Sequence, residues 1–154
     1  MKLFLYISTL FVFIFIGCSA PKNVENKTPA TKKQKGKSLD NLSEKERMNY
    51  DFIFHNANKE KILGNYQVAA GLFTQCTQMV PDEPAAYYEL AKIFDYADQK
   101  QLAIESAKKA VELDGENYWY RYFYAYSLQK TGDTENAIKQ YKKLIEKNPE
   151  NIEL

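Results

Sequence analysis

Histidine occurs once and cysteine twice among 154 residues, so neither a zinc cage of the usual Cys/His spacing nor a disulfide framework has the residues it needs. Ser-His-Asp or Cys-His chemistry would have to run through His55, which has no second histidine to work with and whose nearest cysteine in sequence is Cys76. Glycine (6) and proline (5) are sparse, which leaves room for long regular segments. Charge of one sign is not in excess: 21 basic residues meet 20 acidic ones, so net charge gives no reason to expect a nucleic-acid partner. Acidic residues are spread along the chain rather than paired, and general acid-base chemistry finds no site. No cofactor or metal is expected, and the chain reads as a non-enzyme. Aromatic residues are plentiful, with 12 Tyr, 9 Phe and 1 Trp, and such residues build interfaces as well as cores.

The one long uncharged run is Leu3 to Ile16, preceded by Lys2 and interrupted only by Ser8 and Thr9. It is shorter than the roughly 20 apolar residues that a spanning helix needs, and it has the build of a secretory signal. It ends in Gly17-Cys18, which resembles the lipobox of bacterial lipoproteins, although Phe15 and Ile16 depart from that pattern. The resemblance implies a lipoprotein signal over residues 1–18 that is cut just before Cys18, which is lipidated and becomes the first residue. Ser19, rather than Asp, in the next position is compatible with passage to the outer membrane in Gram-negative relatives. An ordinary signal peptide, or a short anchor with an incidental cysteine, is the alternative.

Residues 19–42 read as a basic, disordered tether, since Ser19 to Lys37 carries six lysines against Glu25 alone and has almost nothing to bury. As a flexible coil these residues would span about 27 Å. From Ser38 onward, 14 basic residues face 19 acidic ones, a net charge of −5. The chain is thus polar from end to end, with its basic stretch beside the expected anchor.

Ser43-Glu44-Lys45-Glu46 fits a capping box and opens a helical domain over residues 43–154. From Tyr50 the sequence repeats every 34 residues, as 50–83, 84–117 and 118–151. Ala57, Ala91 and Ala125 coincide, as do Ala69, Ala103 and Ala137. With 14 alanines in the chain, one such column by chance is on the order of one in a thousand. Polar and glycine residues fall at the middle of each copy, at Gly64-Asn65, Asp98-Gln99 and Gly132-Asp133, while Pro81, Gly115 and Pro149 close the copies. Apolar residues three and four apart between these breaks predict two amphipathic helices per copy, with Phe73, Leu90, Leu128 and Tyr141 filling space beside the alanines. The alternation of Tyr118, Tyr120, Tyr122, Tyr124 and Tyr126 has strand period, but the repeat register places it in a helix.

The length and pattern resemble the tetratricopeptide repeat (TPR), carried by Leu90, Ala91, Phe94, Ala103 and Ala110 in the second copy. In the third it is carried by Tyr124, Ala125, Leu128, Gly132, Ala137, Tyr141 and Pro149. The first copy is weaker in its opening helix, where Ile53, Asn56 and Glu60 depart from the family, and a more polar outer side there would suit an end cap. The resemblance implies an all-α, right-handed helical-repeat solenoid of three helix-turn-helix units. It also implies a groove lined by the second, fifth and ninth residues of each unit, making Phe54, Asn58, Tyr88, Lys92, Trp119, Tyr122 and Tyr126 partner-binding candidates. An aromatic at the fifth residue also suits packing on the neighbouring helix, the reading that fits Phe54 alone. Cys76 shares the register of Ala110 and Leu144 and is expected to be a buried thiol.

The third copy reaches almost to the last residue, so the apolar side of its second helix, at Ile138, Tyr141 and Ile145, is expected to need a cover. Self-association, another protein, or continuation as the first part of a longer repeat array would each provide one. The functional expectation is a lipid-anchored scaffold in the bacterial envelope that holds another envelope protein or peptide. It is similar to the TPR lipoproteins of outer-membrane assembly, pilus and secretion systems. A module that binds glycan or peptidoglycan through the aromatic face is the alternative.

Overall fold

The computed structural model describes residues 37–147, and the expected signal, Cys18 and the tether up to residue 36 lie outside the described residues. A short 3-10 turn, Leu39–Asn41, leads into six α-helices: α1 Glu44–Ile62, α2 Tyr66–Met79, α3 Pro84–Tyr96, α4 Lys100–Leu113, α5 Tyr118–Lys130 and α6 Thr134–Lys147. No strand occurs among the described residues, and none of these helices is long and apolar enough to cross a membrane. The all-α repeat fold read from the sequence is the fold observed, and the alternating tyrosines lie within α5.

Helix starts follow local chemistry. At α1 the Ser43 backbone N–H donates to Glu46 Oε2 (3.0 Å) while the Glu46 N–H donates to Ser43 Oγ (3.4 Å), the reciprocal pair of a capping box. At α3 the Glu83 carboxylate accepts from the Ala85 N–H at 3.2 Å, with Pro84 in the first helical position, where its missing N–H is not needed. At α5 Asn117 Oδ1 accepts from the Trp119 and Tyr120 N–H groups.

The three turns inside the helix pairs are copies of one motif. Gly64, Asp98 and Gly132 occupy the same register position, and all three take a positive φ of 81°, 54° and 86°. The residue after each reaches back to a carbonyl near the end of the preceding helix: Asn65 N–H to Glu60, Gln99 N–H to Phe94 and Asp133 N–H to Leu128, at 2.8 to 3.0 Å. This is the Schellman closure, which needs one left-handed residue.

Each helix packs against the one before and the one after it, so the pairs α1/α2, α3/α4 and α5/α6 stack in chain order. The two alanine columns form the seam. Ala57, Ala91 and Ala125 are fully buried, and Ala69, Ala103 and Ala137 are at most 2% exposed. A methyl there lets two helix backbones approach, and Phe73, Leu90, Leu128 and Leu144 fill the volume alongside. Tyr141 is only half-buried.

Two expectations need correction. The tether was drawn to residue 42, yet Leu39 and Leu42 pack against the core formed by α1 to α3, and Lys37 Nζ pairs with Glu46 Oε1 at 2.6 Å. Residues 37–42 therefore belong to the folded unit. Nor is the outer side of the first pair uniformly polar, since Met48 and Phe52 on α1 are about two-thirds exposed.

Candidate interaction surface

Helices α1, α3 and α5 touch through their side chains and form one layer. Lys61 on α1 pairs with Glu89 on α3, Tyr88 on α3 packs on Tyr120 and Phe123 of α5, and Lys130 on α5 pairs with Asp95 on α3 at 2.7 Å. All seven groove candidates lie on these helices, but they fall into two groups.

Phe54, Asn58 and Tyr88 are used internally. The Phe54 ring stacks on Tyr50 (5.9 Å) and meets Phe73 edge-on (5.4 Å), so it is a packing residue rather than an offered one. Asn58 Nδ2 donates to the Phe54 carbonyl at 3.0 Å and its Oδ1 accepts from Lys61 at 3.0 Å. Tyr88 lies 5.0 Å from the Tyr120 ring and 5.8 Å from Phe123, and burial pushes both tyrosine hydroxyls above their ordinary range. Its place is the joint between the second and third helix pairs.

Lys92, Trp119, Tyr122 and Tyr126 remain accessible. Lys92 keeps 40% of its side chain exposed while its ammonium sits 5.0 Å above the Tyr88 ring. Trp119 is 62% exposed and stands edge-on to Tyr122 and to Tyr118, which stacks on Tyr122 at 6.1 Å. Tyr126 lies 5.8 Å from Phe123 and under the Lys130 ammonium. The result is a shelf of rigid rings with exposed faces or edges, supported from beneath by other rings. Such a shelf supplies contact area at a small entropy cost on binding. Tyr118 and Phe123 also belong to this shelf and are not among the candidates named from the sequence.

Of the three residues expected at the far side of α6, Ile138 and Ile145 are about half exposed. Tyr141 instead packs back on α5, with its ring 6.2 Å from Tyr122 and its hydroxyl 3.0 Å from Gln129 Oε1. It therefore supports the aromatic shelf. His55 is exposed, and among the described residues no three His, Cys, Asp or Glu side chains gather as metal ligands do. Cys76 is fully buried, and its desolvated thiol is pushed up to about 11. The least expected buried residue is Arg121, which is 8% exposed. Its Nη2 donates to the Gly115 carbonyl (2.6 Å) and its Nη1 to Gln140 Oε1 (2.9 Å), tying α5 to the end of α4 and to α6.

Helix pairs stacked along a seam of alanines, closed by identical turns and faced on one layer with rings, define a helical-repeat interaction module. Residues 84–117 and 124–151 each match a family model described as tetratricopeptide repeat, so the second and third helix pairs are tetratricopeptide repeats. A search of curated proteins returned no match.

Solved structures share the fold. The first TPR domain of Spaghetti (RPAP3), solved with the HSP90 peptide SRMEEVD, has a TM-score of 0.62 at 19% identity, covering 67% of this chain and 82% of that one. The Sgt2 TPR domain from Aspergillus fumigatus gives 0.60 at 22% identity, covering 66% of this chain and 67% of its own. MamA RS-1, as the ArsTM double mutant, gives 0.62 at 21% identity over 67% of this chain, which spans 58% of that structure.

Proposed function

We propose that the protein is a non-catalytic scaffold that holds a polypeptide partner on the α5 shelf, with Trp119, Tyr122 and Tyr126 as anchors and Lys92 as a polar contact. The observation that carries this reading is the exposure of Trp119 on rings that are themselves packed, an arrangement with no evident use in folding. The Spaghetti domain, solved with a bound peptide, supports a peptide partner for a chain of this fold. In the same reading Cys18 is lipidated and anchors the scaffold in the bacterial cell envelope, on an outer membrane, where the partner is another envelope protein. Ile138 and Ile145 on α6 form a second contact, for another copy or for a partner.

The test is a crosslinked pull-down from membranes with the intact protein and with a Trp119→Ala, Tyr122→Ala variant of matched helicity. Tyr88 is left in place because it joins the helix pairs. Specific loss of one captured protein supports the shelf, and an unchanged set refutes it. Cys18→Ala should abolish fatty-acid labelling, and persistent labelling would refute the anchor. Light scattering of an Ile138→Lys, Ile145→Lys variant reads the α6 contact through any loss of dimer.

The exposed indole beside stacked tyrosines also suits a sugar ring, which binds flat on such faces. Retention on purified peptidoglycan without other protein, lost in Trp119→Ala, would favour that second reading.

A further inference from the structure

A second apolar surface lies away from the α5 shelf, where α1 and α3 turn into their partner helices. Ile62 and Tyr96 hold the same register position in successive pairs and are 81% and 70% exposed. Leu63, next to Ile62, is 61% exposed. In the third pair that position is Lys130, so the apolar edge stops after the second pair.

The edge is shaped. The Tyr66 and Tyr96 rings lie 4.2 Å apart and tilted, and hollows open on both sides of Tyr66. One hollow, about 370 Å³, is lined by Lys61, Ile62, Tyr66, Lys92, Ile93 and Tyr96. The other, about 350 Å³, shares Tyr66 and Ile93 and continues over Ala70, Phe94 and Ala97.

The first hollow carries charge of one sign at its rim. Lys61 and Lys92 both reach Glu89, the first also accepted by Asn58, so two ammonium groups share one carboxylate and leave a net positive charge. Glu89 shows that a side-chain carboxylate fits between these lysines. Lys92, at 3.4 Å from Glu89 and 40% exposed, is the more weakly engaged of the two.

We propose that this edge binds an extended, internal segment of a partner polypeptide, which seats one apolar side chain in each hollow and offers an aspartate or glutamate to Lys92. Two hollows flanking one ring suit a chain that passes over Tyr66 and Tyr96, and each has room for single side chains rather than a membrane surface. Alternate side chains of an extended segment point the same way, which sets two apolar anchors one residue apart. The positive rim selects an acidic residue two positions from an anchor, on the same face, and steers its approach. This surface shares Lys92 with the α5 shelf but none of its aromatic anchors.

The probe is a short fluorescein-labelled peptide with Leu-Ser-Leu-Ser-Glu at its centre in a Gly-Ser background, so that both leucines and the glutamate share one face of the extended chain, and it is amidated at its C-terminus so that the only carboxylate is the glutamate. Polarisation is read with the full chain. Binding is expected, weakened about tenfold by Tyr96→Ser and by replacing the two leucines with serine. Lys92→Gln should weaken it less and flatten its salt dependence. Trp119→Ala should leave it unchanged, so the outcome is separate from that of the shelf. Tyr96 is exposed, and an unaltered helical spectrum shows that its variant is folded. Absence of binding, equal binding by Tyr96→Ser, or binding only when the peptide's C-terminal carboxylate is free would each overturn the proposal. So would vesicle binding lost in Tyr96→Ser without any peptide binding.

Discussion

The Arg121 guanidinium donates to the Gly115 backbone carbonyl at 2.6 Å, and the glycine leaves room for it. A Cβ at Gly115 would stand 3.1 Å from Arg121 Nη2 and 3.3 Å from the Val111 carbonyl oxygen. The same guanidinium reaches Gln140, so one buried charge braces the turn between the second and third helix pairs against α6. A planar fork with several donors can serve both acceptors at once, which an ammonium on a flexible stem does less well.

Arg121→Met should therefore cost about 1–3 kcal/mol, the range for leaving a buried hydrogen-bonding group without its partner. Arg121→Lys should recover only part of this. Gly115→Ala should be destabilising by about 1 kcal/mol through crowding, because the Val111 carbonyl is backbone and cannot swing aside. Urea unfolding followed by circular dichroism reads all three. A neutral Arg121→Met would show that the joint does not depend on the guanidinium.

The shared left-handed turn makes opposite predictions at equivalent positions. Asp98 adopts φ 54°, where Gly64 and Gly132 stand in the other pairs, and a Cβ is disfavoured in that region. Asp98→Gly should raise stability by up to about 1 kcal/mol, while Gly64→Ala should lower it by about 1 kcal/mol even though its Cβ would meet nothing within 4 Å. Thermal melts of the two variants give the sign of each effect. Destabilisation by Asp98→Gly would mean that its exposed 3.7 Å pair with Lys100 outweighs the backbone term.

The repeat was legible because its geometric demands fall on small residues at fixed spacing. Alanine at the seam and glycine or aspartate at the turn leave little choice of residue, so 34-residue columns appear even in one sequence. Arg121 was not legible, since an arginine among tyrosines reads as solvated until the chain brings the Gly115 carbonyl and Gln140 to it. Tyr66 and Tyr96 meet across separate helix pairs, and no periodicity within one helix announces that contact. Leu39 and Leu42 were assigned to the tether because two leucines beside a lysine-rich stretch carry no amphipathic pattern of their own. Among the groove candidates, sequence register identified the helices but not the rotation that packs Tyr88 on α5 and leaves Trp119 exposed.

At the start of α1, Glu46 is held at about 2 by hydrogen bonds from Lys37 and Ser43, below its ordinary value of 4.5. A depressed carboxylate contributes stability that is present above its unfolded pKa and is lost as pH falls through its folded one. The cap should thus weaken between about pH 4.5 and 2. An NMR titration of the Glu46 carboxyl tests this. Lys37→Ala should shift the midpoint upward most and Ser43→Ala less, and a midpoint of 4.5 in the unaltered protein would show that residues 37–42 do not dock as described.

At the alkaline end the sign is reversed. Burial pushes the Cys76 thiol up to about 11 from an ordinary 9.0, and pushes the Tyr50 hydroxyl, buried without a hydrogen-bond partner among the described residues, well above the usual tyrosine range. For both groups the folded state holds its proton after the unfolded chain has released it. The stability tied to Cys76 is fully present below pH 9.0 and is lost as pH rises through about 11. Each such group removes about 1.4 kcal/mol per pH unit within its window. Urea unfolding at about pH 8 and pH 10 should show this loss, and Cys76→Ala should reduce the pH 8-to-10 difference by about 1 kcal/mol despite lowering stability at both. A thiol reagent should leave the folded protein unmodified and label it only on unfolding. An identical pH dependence in Cys76→Ala, or rapid labelling of the folded chain, would show that Cys76 is not sealed between α1 and α2 and that this part of the core opens to solvent.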